Sequence, residues 1–441
     1  MADASSAVHP FSTRRALMPM WGQNPLAPSQ WPERWSQLQA AALPEQALAY
    51  VHIPFCANHC VFCGFYRNGW NPESARRYTD RLIAELEADA ARRAPGGSIQ
   101  ALYLGGGTPT LLAAEDLARL LDALRATLPL SDDCEITVEG RISHFTPEKV
   151  DACLASGANR FSIGVQTFDS AIRRRLGRKH PGDEAADYLA WLAAYSGQVV
   201  VADLIFGLPG QSEAIWRRDL EIALGLGLAG LDVYAFNLMP QLPIVRMIEK
   251  GAFPPAPGLA EQLQQYRIAC QLFADAGWAQ LSNSHFGTPD GGERNRYNLA
   301  IKSGASCLAF GAGAGGNLAG ISYALEPDLA RYLETPPAQK PLARMACAAT
   351  GKHWLPVLQG EIETGRFRLA ALPRPELTLP LLQHWAGQGL LLLDGTYARL
   401  TTEGRFWGPT MMRHLADTLQ PDNHAGHTVA LHPHCTRKET V

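Results

Sequence analysis

The chain has 441 residues, of which 46% are hydrophobic and 18% charged, with a formal net charge of -3. That ordinary soluble composition has material for one large barrel plus accessory pieces, or for two to three average domains. It carries no basic run suited to nucleic acid and no stretch near the roughly 18 apolar residues of a membrane span, so neither is an expected partner.

Residues 1 to about 45 are rich in proline and tryptophan (Trp21, Trp31, Trp35) and show no sustained period. They read as an irregular arm packed on the body through those tryptophans. The opening residues, MADASSAVHPFSTRRALMPMWG, lack the apolar core of a secretory signal. Nine cysteines are present, and only three cluster. Cys134, Cys153, Cys270, Cys307, Cys347 and Cys435 follow no disulfide framework, so a reduced, cytoplasmic compartment is expected. Oligomeric state is not written in the sequence.

From about residue 48 short apolar runs alternate with helical patterns. LAYVHIPF (48–55), ALYLGGG (101–107), EITVEG (135–140), RFSIGVQ (160–166), VVVADLIFGLP (199–209) and LDVYAFNL (231–238) read as strands. Between them, Leu117, Leu120, Leu121, Leu124 and Leu128 recur at helical spacing. Thr146, Pro147 and Gly157 stand at the N-cap, first turn and end of another helix.

This alternation predicts a parallel sheet with helices outside. A doubly wound sheet has the same pattern. One polar group at each strand end favours a barrel, whose site collects at the C-terminal face. Those groups are GGGT after the second strand, then Glu139, Gln166, Asp203 and Asn237. Beyond about residue 345 the pattern becomes helix, a hairpin around Asp394-Gly395, then helix, a small helical or winged-helix-like domain (346–420). Residues 421–441 read as a flexible tail.

After the first strand comes HIPFCANHCVFCGFY, which places Cys56, Cys60 and Cys63 in the spacing C-x3-C-x2-C. Thiolates suit zinc or an iron–sulfur cluster. A structural zinc would take His52 or His59 as fourth ligand. The flanking Phe55, Phe62, Phe65 and Tyr66 give the apolar shielding that suits a redox cluster.

With YVHIPFC (50–56), YLGGGTPT (103–110), RFSIGVQTF (160–168), GRKH (177–180) and DLIFGLPGQ (203–211), this spacing resembles the radical S-adenosylmethionine (SAM) superfamily and its HemN-like subgroup. The resemblance covers residues 46–345 and, more loosely, the C-terminal domain. It implies a partial (β/α)6 TIM-like radical SAM barrel. It also implies that Cys56, Cys60 and Cys63 bind three irons of a [4Fe–4S] cluster whose fourth iron takes SAM. Tyr50, Phe62, Gly106, Gly107, Thr108, Glu139, Gln166, Arg178, Asp203 and Asn237 are the implied SAM contacts.

Within the subgroup, coproporphyrinogen dehydrogenases have a cysteine where this chain has Phe65, and the haem-chaperone-like members an acidic residue where it has Gly64. CVFCGFYRNGW (60–70), TVEGRISHF (137–145) and the segment 282–316 instead resemble the HutW/ChuW-type haem-utilisation enzymes. That resemblance implies anaerobic haem breakdown by a radical SAM methyltransferase. The porphyrin is methylated and opened to a linear tetrapyrrole, iron is released, and two SAM molecules are used. Haem is then the substrate and a flavodoxin-type protein the electron donor, because such clusters work toward the low end of a range of about −700 to +450 mV. His285 is the expected iron contact or proton donor, and Arg141, Arg294 and Arg296 the expected propionate partners. GAGAGG (311–316) allows close backbone approach to substrate or the second SAM. The tail histidines His424, His427, His432 and His434, with Cys435, are a further haem or metal candidate. The alternatives are a coproporphyrinogen III dehydrogenase and a non-enzymatic haem chaperone.

Overall fold

The computed structural model describes residues 10–17, 21–64, 67–290 and 292–419. Phe65, Tyr66, the tail histidines and Cys435 lie outside the described residues.

Six parallel strands follow in chain order across one sheet: Ala47–Ile53, Ile99–Gly106, Leu130–Gly140, Arg160–Gln166, Val199–Phe206 and Gly230–Ala235. Alternation along each strand sends two kinds of side chain to the two faces. Val51, Leu104, Val138, Ile163, Leu204 and Val233 point outward and are buried. The connecting helices cover them, among them Pro72–Ala90, Ala114–Thr127, Pro147–Ala155, Gly182–Ser196 and Glu213–Leu224. The start of the Pro72–Ala90 helix is fixed by Pro72 in its first turn and by Asn71, whose side chain accepts from the Ser74 backbone N–H.

The opposite face is polar and aromatic. In register, Tyr50 neighbours Tyr103, Glu139 neighbours Ser162, Gly164 neighbours Asp203, and Asp203 neighbours Asp232. A helix, Arg296–Lys302, closes the floor of this interior, with Tyr297, Ala300 and Ile301 packed on Leu48, Ala101 and Cys307. Glu135 caps that helix by accepting from the backbone N–H groups of Arg296 and Tyr297, at 3.1 and 3.2 Å.

Among the described residues the sheet continues past the six strands on both sides, to thirteen in all, and its two edges do not pair. Beside the first strand runs Ser306–Phe310, parallel to it. Gly315–Leu318, Ile321–Leu325 and Leu342–Ala348 then add antiparallel strands, and Gln23–Pro25 forms the edge. Beyond the sixth strand lie His285–Gly287 and Ala279–Gln280. The fold is therefore the expected partial barrel, with a larger antiparallel extension than the sequence suggested. One segment changes character and one boundary moves. The N-terminal arm is not irregular, since it supplies the edge strand and the helix Trp31–Ala40, whose Trp35 ring packs 4.8 Å from Tyr323. The last strand of the extension runs to Ala348, past the expected break near 345.

The C-terminal region has helices Trp354–Thr364, Pro375–Gly387 and Thr402–Thr418 beside a three-stranded antiparallel sheet. Phe406 packs 5.9 Å from Tyr266, and the Asn283 N–H donates to Glu363 O at 2.8 Å, so it shares the barrel's core. GAGAGG serves packing. A Cβ at Gly311, whose φ is +96°, would lie 2.4 Å from the Tyr78 hydroxyl and 2.6 Å from the His52 carbonyl.

Gly182 opens its helix against the carbonyl of Phe168, which a Cβ would approach to 1.5 Å. Gly182→Ala is expected to lower unfolding stability by about 3 kcal/mol. Urea denaturation measures this, and unchanged stability would show that the helix start shifts freely.

Candidate active site at the open end of the barrel

The cysteine loop leaves the first strand at the C-terminal end of the sheet. Phe55–Cys56 bridges Asn68–Gly69, and the Trp70 N–H donates to Cys56 O at 3.0 Å, which closes the loop. Asn58 ties its other side down, donating to Gly177 O at 2.8 Å. Cys56 and Cys60 are buried and Cys63 half-buried.

Arg141 spans the first two thiols, with Nη1 3.5 Å from Cys60 Sγ and Nη2 3.8 Å from Cys56 Sγ. The Thr108 hydroxyl lies 3.9 Å from Cys56 Sγ. Burial pushes the Cys56 thiol pKa up, while Arg141 and Thr108 draw it back. Among the described residues no three His, Cys, Asp or Glu side chains are close enough to hold a single ion. His52 is engaged elsewhere, with Nδ1 2.9 Å from the Tyr50 hydroxyl. Burial, then Arg67, lowers the His52 pKa to about 4, so its ring is neutral. Three thiols on one short loop, with an arginine across two of them, suit an inorganic cluster held by thiolates.

Beside the loop, the glycines after the second strand form a cradle without room for a side chain. A Cβ at Gly105 would lie 2.8 Å from Glu139 Oε2, at Gly106 2.7 Å from the His52 ring, and at Gly107 2.4 Å from Phe55 O. The Gly106 N–H donates to Glu139 Oε2 at 3.3 Å. Burial raises the Glu139 pKa to about 7, against the pull of that N–H and of Arg141 and Arg178.

Three more predicted residues meet over Gly164. A Cβ there would lie 2.9 Å from Gln166 Nε2, 3.7 Å from Arg178 Nη2 and 3.9 Å from Asp203 Oδ2. Gln166 holds φ at +71°, a left-handed conformation that is strained for a residue with a side chain. Its Oε1 and Arg178 Nε are buried without hydrogen-bond partners. Arg178 lies 5.7 Å over the Phe62 ring. Burial lowers its pKa to about 10, and Cys60 opposes that. Burial, then Asp232 and Glu139, lifts the Asp203 pKa to about 8. Orphaned polar atoms, a glycine cradle and adjoining thiols are what a polar organic cofactor beside a metal cluster needs. Asn237 is exposed beyond the sixth strand and is not part of this group.

Three expectations change. His285 is fully buried, so it does not face a substrate. Its Nδ1 lies 2.9 Å from Asp232 Oδ1 and its Nε2 3.3 Å from Glu293 Oε1, ion pairs that fall short of aligned hydrogen bonds. Burial alone would lower its pKa, but the two carboxylates raise it to about 9. An imidazolium has no lone pair for iron. Glu293 in turn binds Arg160 at 3.0 Å. Burial works against ionised Glu293, yet His285 and Arg160 hold its pKa near 2. Arg294 and Arg296 lie at the opposite end of the barrel, both drawn to Asp133 near the start of the third strand. There they line a floor cavity of about 500 Å³ with Leu48, Gln100 and Ala300. Arg141 turns to the thiols, not to open solvent. Sequence reasoning passed over Arg160, Asp232 and Glu293. The inward parity of the strands points to the first two, and nothing in the loop sequence marks the third.

Residues 50–222 match the radical SAM superfamily. Over 419 residues the chain is 45% identical to the anaerobilin synthase of Escherichia coli O157:H7, covering 93% of each chain. The chain belongs to the radical SAM superfamily, in the family of the anaerobilin synthases. Its family cofactors are a [4Fe–4S] cluster and SAM. The haem chaperone HemW of Escherichia coli K12 is 30% identical over 388 residues, 83% of this chain and 96% of its own. Among solved structures, the coproporphyrinogen III oxidase HemN of Escherichia coli superposes with a TM-score of 0.75 at 22% identity, over 92% of this chain and 96% of that one. That likeness concerns the fold.

Two outcomes follow from this radical SAM site. Gln166→Gly removes both a strained conformation and a side chain. Stability should stay within about 1 kcal/mol of the original while SAM binding weakens. Lost stability with unchanged SAM affinity would give Gln166 a purely structural role. His285→Gln leaves Asp232 without its buried cation and Glu293 with Arg160 alone, costing about 3–5 kcal/mol, part of which Asp232→Asn restores. Because the His285 pKa is raised from 6.5 to about 9, its contribution is full below 6.5 and lost as pH rises through 9. Denaturation curves should therefore show the parent and His285→Gln converging at alkaline pH. A constant gap would contradict the charged-histidine account.

Proposed function

We propose that the protein is a methyltransferase that degrades haem without oxygen. It adds a SAM-derived methyl group, opens the porphyrin to a linear tetrapyrrole, releases iron and consumes two SAM molecules. The observation that carries this reading is 45% identity over 93% of both chains to an anaerobilin synthase. When bound, the [4Fe–4S] cluster and SAM supply a reductively generated carbon radical and a methyl donor.

The chain's own residues do the holding. Cys56, Cys60 and Cys63 bind three irons, and Arg141 lowers the cost of their negative charge. Gly106 and Gly107 let the backbone approach the amino-acid part of SAM beside Thr108. Glu139 and Arg178 suit its amino and carboxylate groups, Asp203 its ribose hydroxyls, and Gln166 can offer both a donor and an acceptor. Tyr50 and Phe62 border this space.

A haem must bring its ring to the same open end and cover it with apolar contact. Trp70 on the cysteine loop, and Tyr234, Leu238 and Met239 at the end of the sixth strand, are 40–46% exposed there. A Cβ on Gly64 would lie 3.3 Å from Met239 Cε, so this lip adjoins the cysteine loop. Exposed aromatic and aliphatic side chains with a thioether among them suit contact with a metalloporphyrin. Phe65, in place of a further cysteine, sets the chain apart from the coproporphyrinogen oxidases. No described helix is long and apolar enough to cross a membrane, and haem is expected to arrive from the cytoplasm.

The test is anaerobic incubation of reconstituted protein with haem, SAM and a low-potential reductant. Loss of porphyrin absorbance with formation of 5′-deoxyadenosine and S-adenosylhomocysteine is expected. Intact haem absorbance would favour the chaperone reading. Cys60→Ala should abolish both products while retaining the native circular dichroism, and normal SAM cleavage by that variant would overturn the cluster assignment.

A further inference from the structure

The reduction step needs an electron from outside, and one surface stands against the cysteine loop from behind. The turn after the fourth strand reads RRRLGRKH, residues 173–180. Asn58 donates to Gly177 O at 2.8 Å, and a Cβ at Gly177 would lie 3.8 Å from the Cys60 Cα and 3.7 Å from the His59 carbonyl. Few atoms therefore separate this turn from a cysteine that holds the cluster.

Its charges divide by role. Arg173, in the short helix Ser170–Arg175, is buried and donates to the carbonyls of His180, Val165 and Thr167, which ties the helix to the turn on either side of it. Arg178 faces inward over Phe62. Arg174, Arg175 and Lys179 are exposed and form no ion pair among the described residues. The acidic residues nearest in sequence stand at helix N-termini. Asp169 caps the short helix through the Ile172 N–H at 2.8 Å, and Asp183 and Glu184 sit in the first turn of the next helix, with Glu184 2.8 Å from His180. Further cations adjoin the turn. Burial, followed by Lys149, Lys179, Arg141 and His180, lowers the His144 pKa, so these basic groups share one field. The whole chain is acidic, with net charge -3, which makes a local excess of unpaired cations beside the cluster a selective feature.

We propose that Arg174, Arg175 and Lys179 form the docking surface for a small acidic, low-potential electron-transfer protein that reduces the cluster through the Gly177–Asn58 contact. The partner's reduced flavin gives up one electron and is oxidised, and the cluster gains it, with no bond made or broken. This inference rests on the cysteine loop holding the cluster, and not on haem being the substrate. Complementary charge chiefly raises the rate of encounter, so the signature is kinetic and salt-dependent.

The experiment uses reconstituted full-length protein with SAM and no haem, and follows cluster bleaching after anaerobic mixing with reduced flavodoxin or with dithionite. For the parent, reduction by flavodoxin should slow steeply with added salt. The triple variant R174E/R175E/K179E should be reduced by flavodoxin at least about tenfold more slowly with little salt dependence, yet by dithionite at the parent rate and with the same iron content. Parent-like reduction of the variant by flavodoxin would overturn the proposal. So would equal slowing with dithionite, which would mean an altered cluster.

Discussion

On the proposed assignment three thiolates hold a cluster that has four irons, and the rest of the site is arranged around the position they leave open. Cys56, Cys60 and Cys63 come from one loop of eight residues, so their placement needs that loop to be held from several sides. The bridge to Asn68–Gly69, the Asn58 bond to Gly177 and Arg141 across two sulfurs do this from three different elements. Arg141 meets the charge of two thiolates directly, and burial disfavours the Arg178 cation, which Cys60 helps to hold. On the open side the sheet offers glycine where backbone must approach and polar groups where charge must be held.

The barrel interior extends the same logic downward. Asp203, Asp232 and Glu293 would repel one another in a buried space, and Arg160 and His285 are placed between them. This polar column stands on the aromatic floor of Tyr50, Tyr103 and Tyr297. The helix beneath is capped by Glu135, another inward-facing carboxylate. Outward faces carry the hydrophobic stability, so the inward face is free to be polar and strained, as at Gln166.

Much of this was legible in the sequence because each signal was local. Short apolar runs marked all six parallel strands to within a few residues, and Cys-x3-Cys-x2-Cys marked the loop that the fold brings to the open end of the barrel. The glycine run was informative because each glycine there meets a backbone or ring atom. What failed to show was non-local. His285 reads as a reactive histidine in its own segment, and only the pairing of its strand with the sixth puts Asp232 beside it. Arg294 and Arg296 have the charge that propionates need, but the chain turns them to the other end of the barrel. The helix in the N-terminal arm was hidden because its apolar residues, Trp35 and Leu38, gain their meaning only against the sheet extension.

On the proposed function this barrel turns over haem and does not merely carry it. The most direct measurement is the mass of the tetrapyrrole formed from haem and SAM bearing an isotopically labelled methyl group, without oxygen. A linear tetrapyrrole that carries the label is the predicted result. Recovery of unlabelled, intact haem after SAM has been cleaved would contradict it.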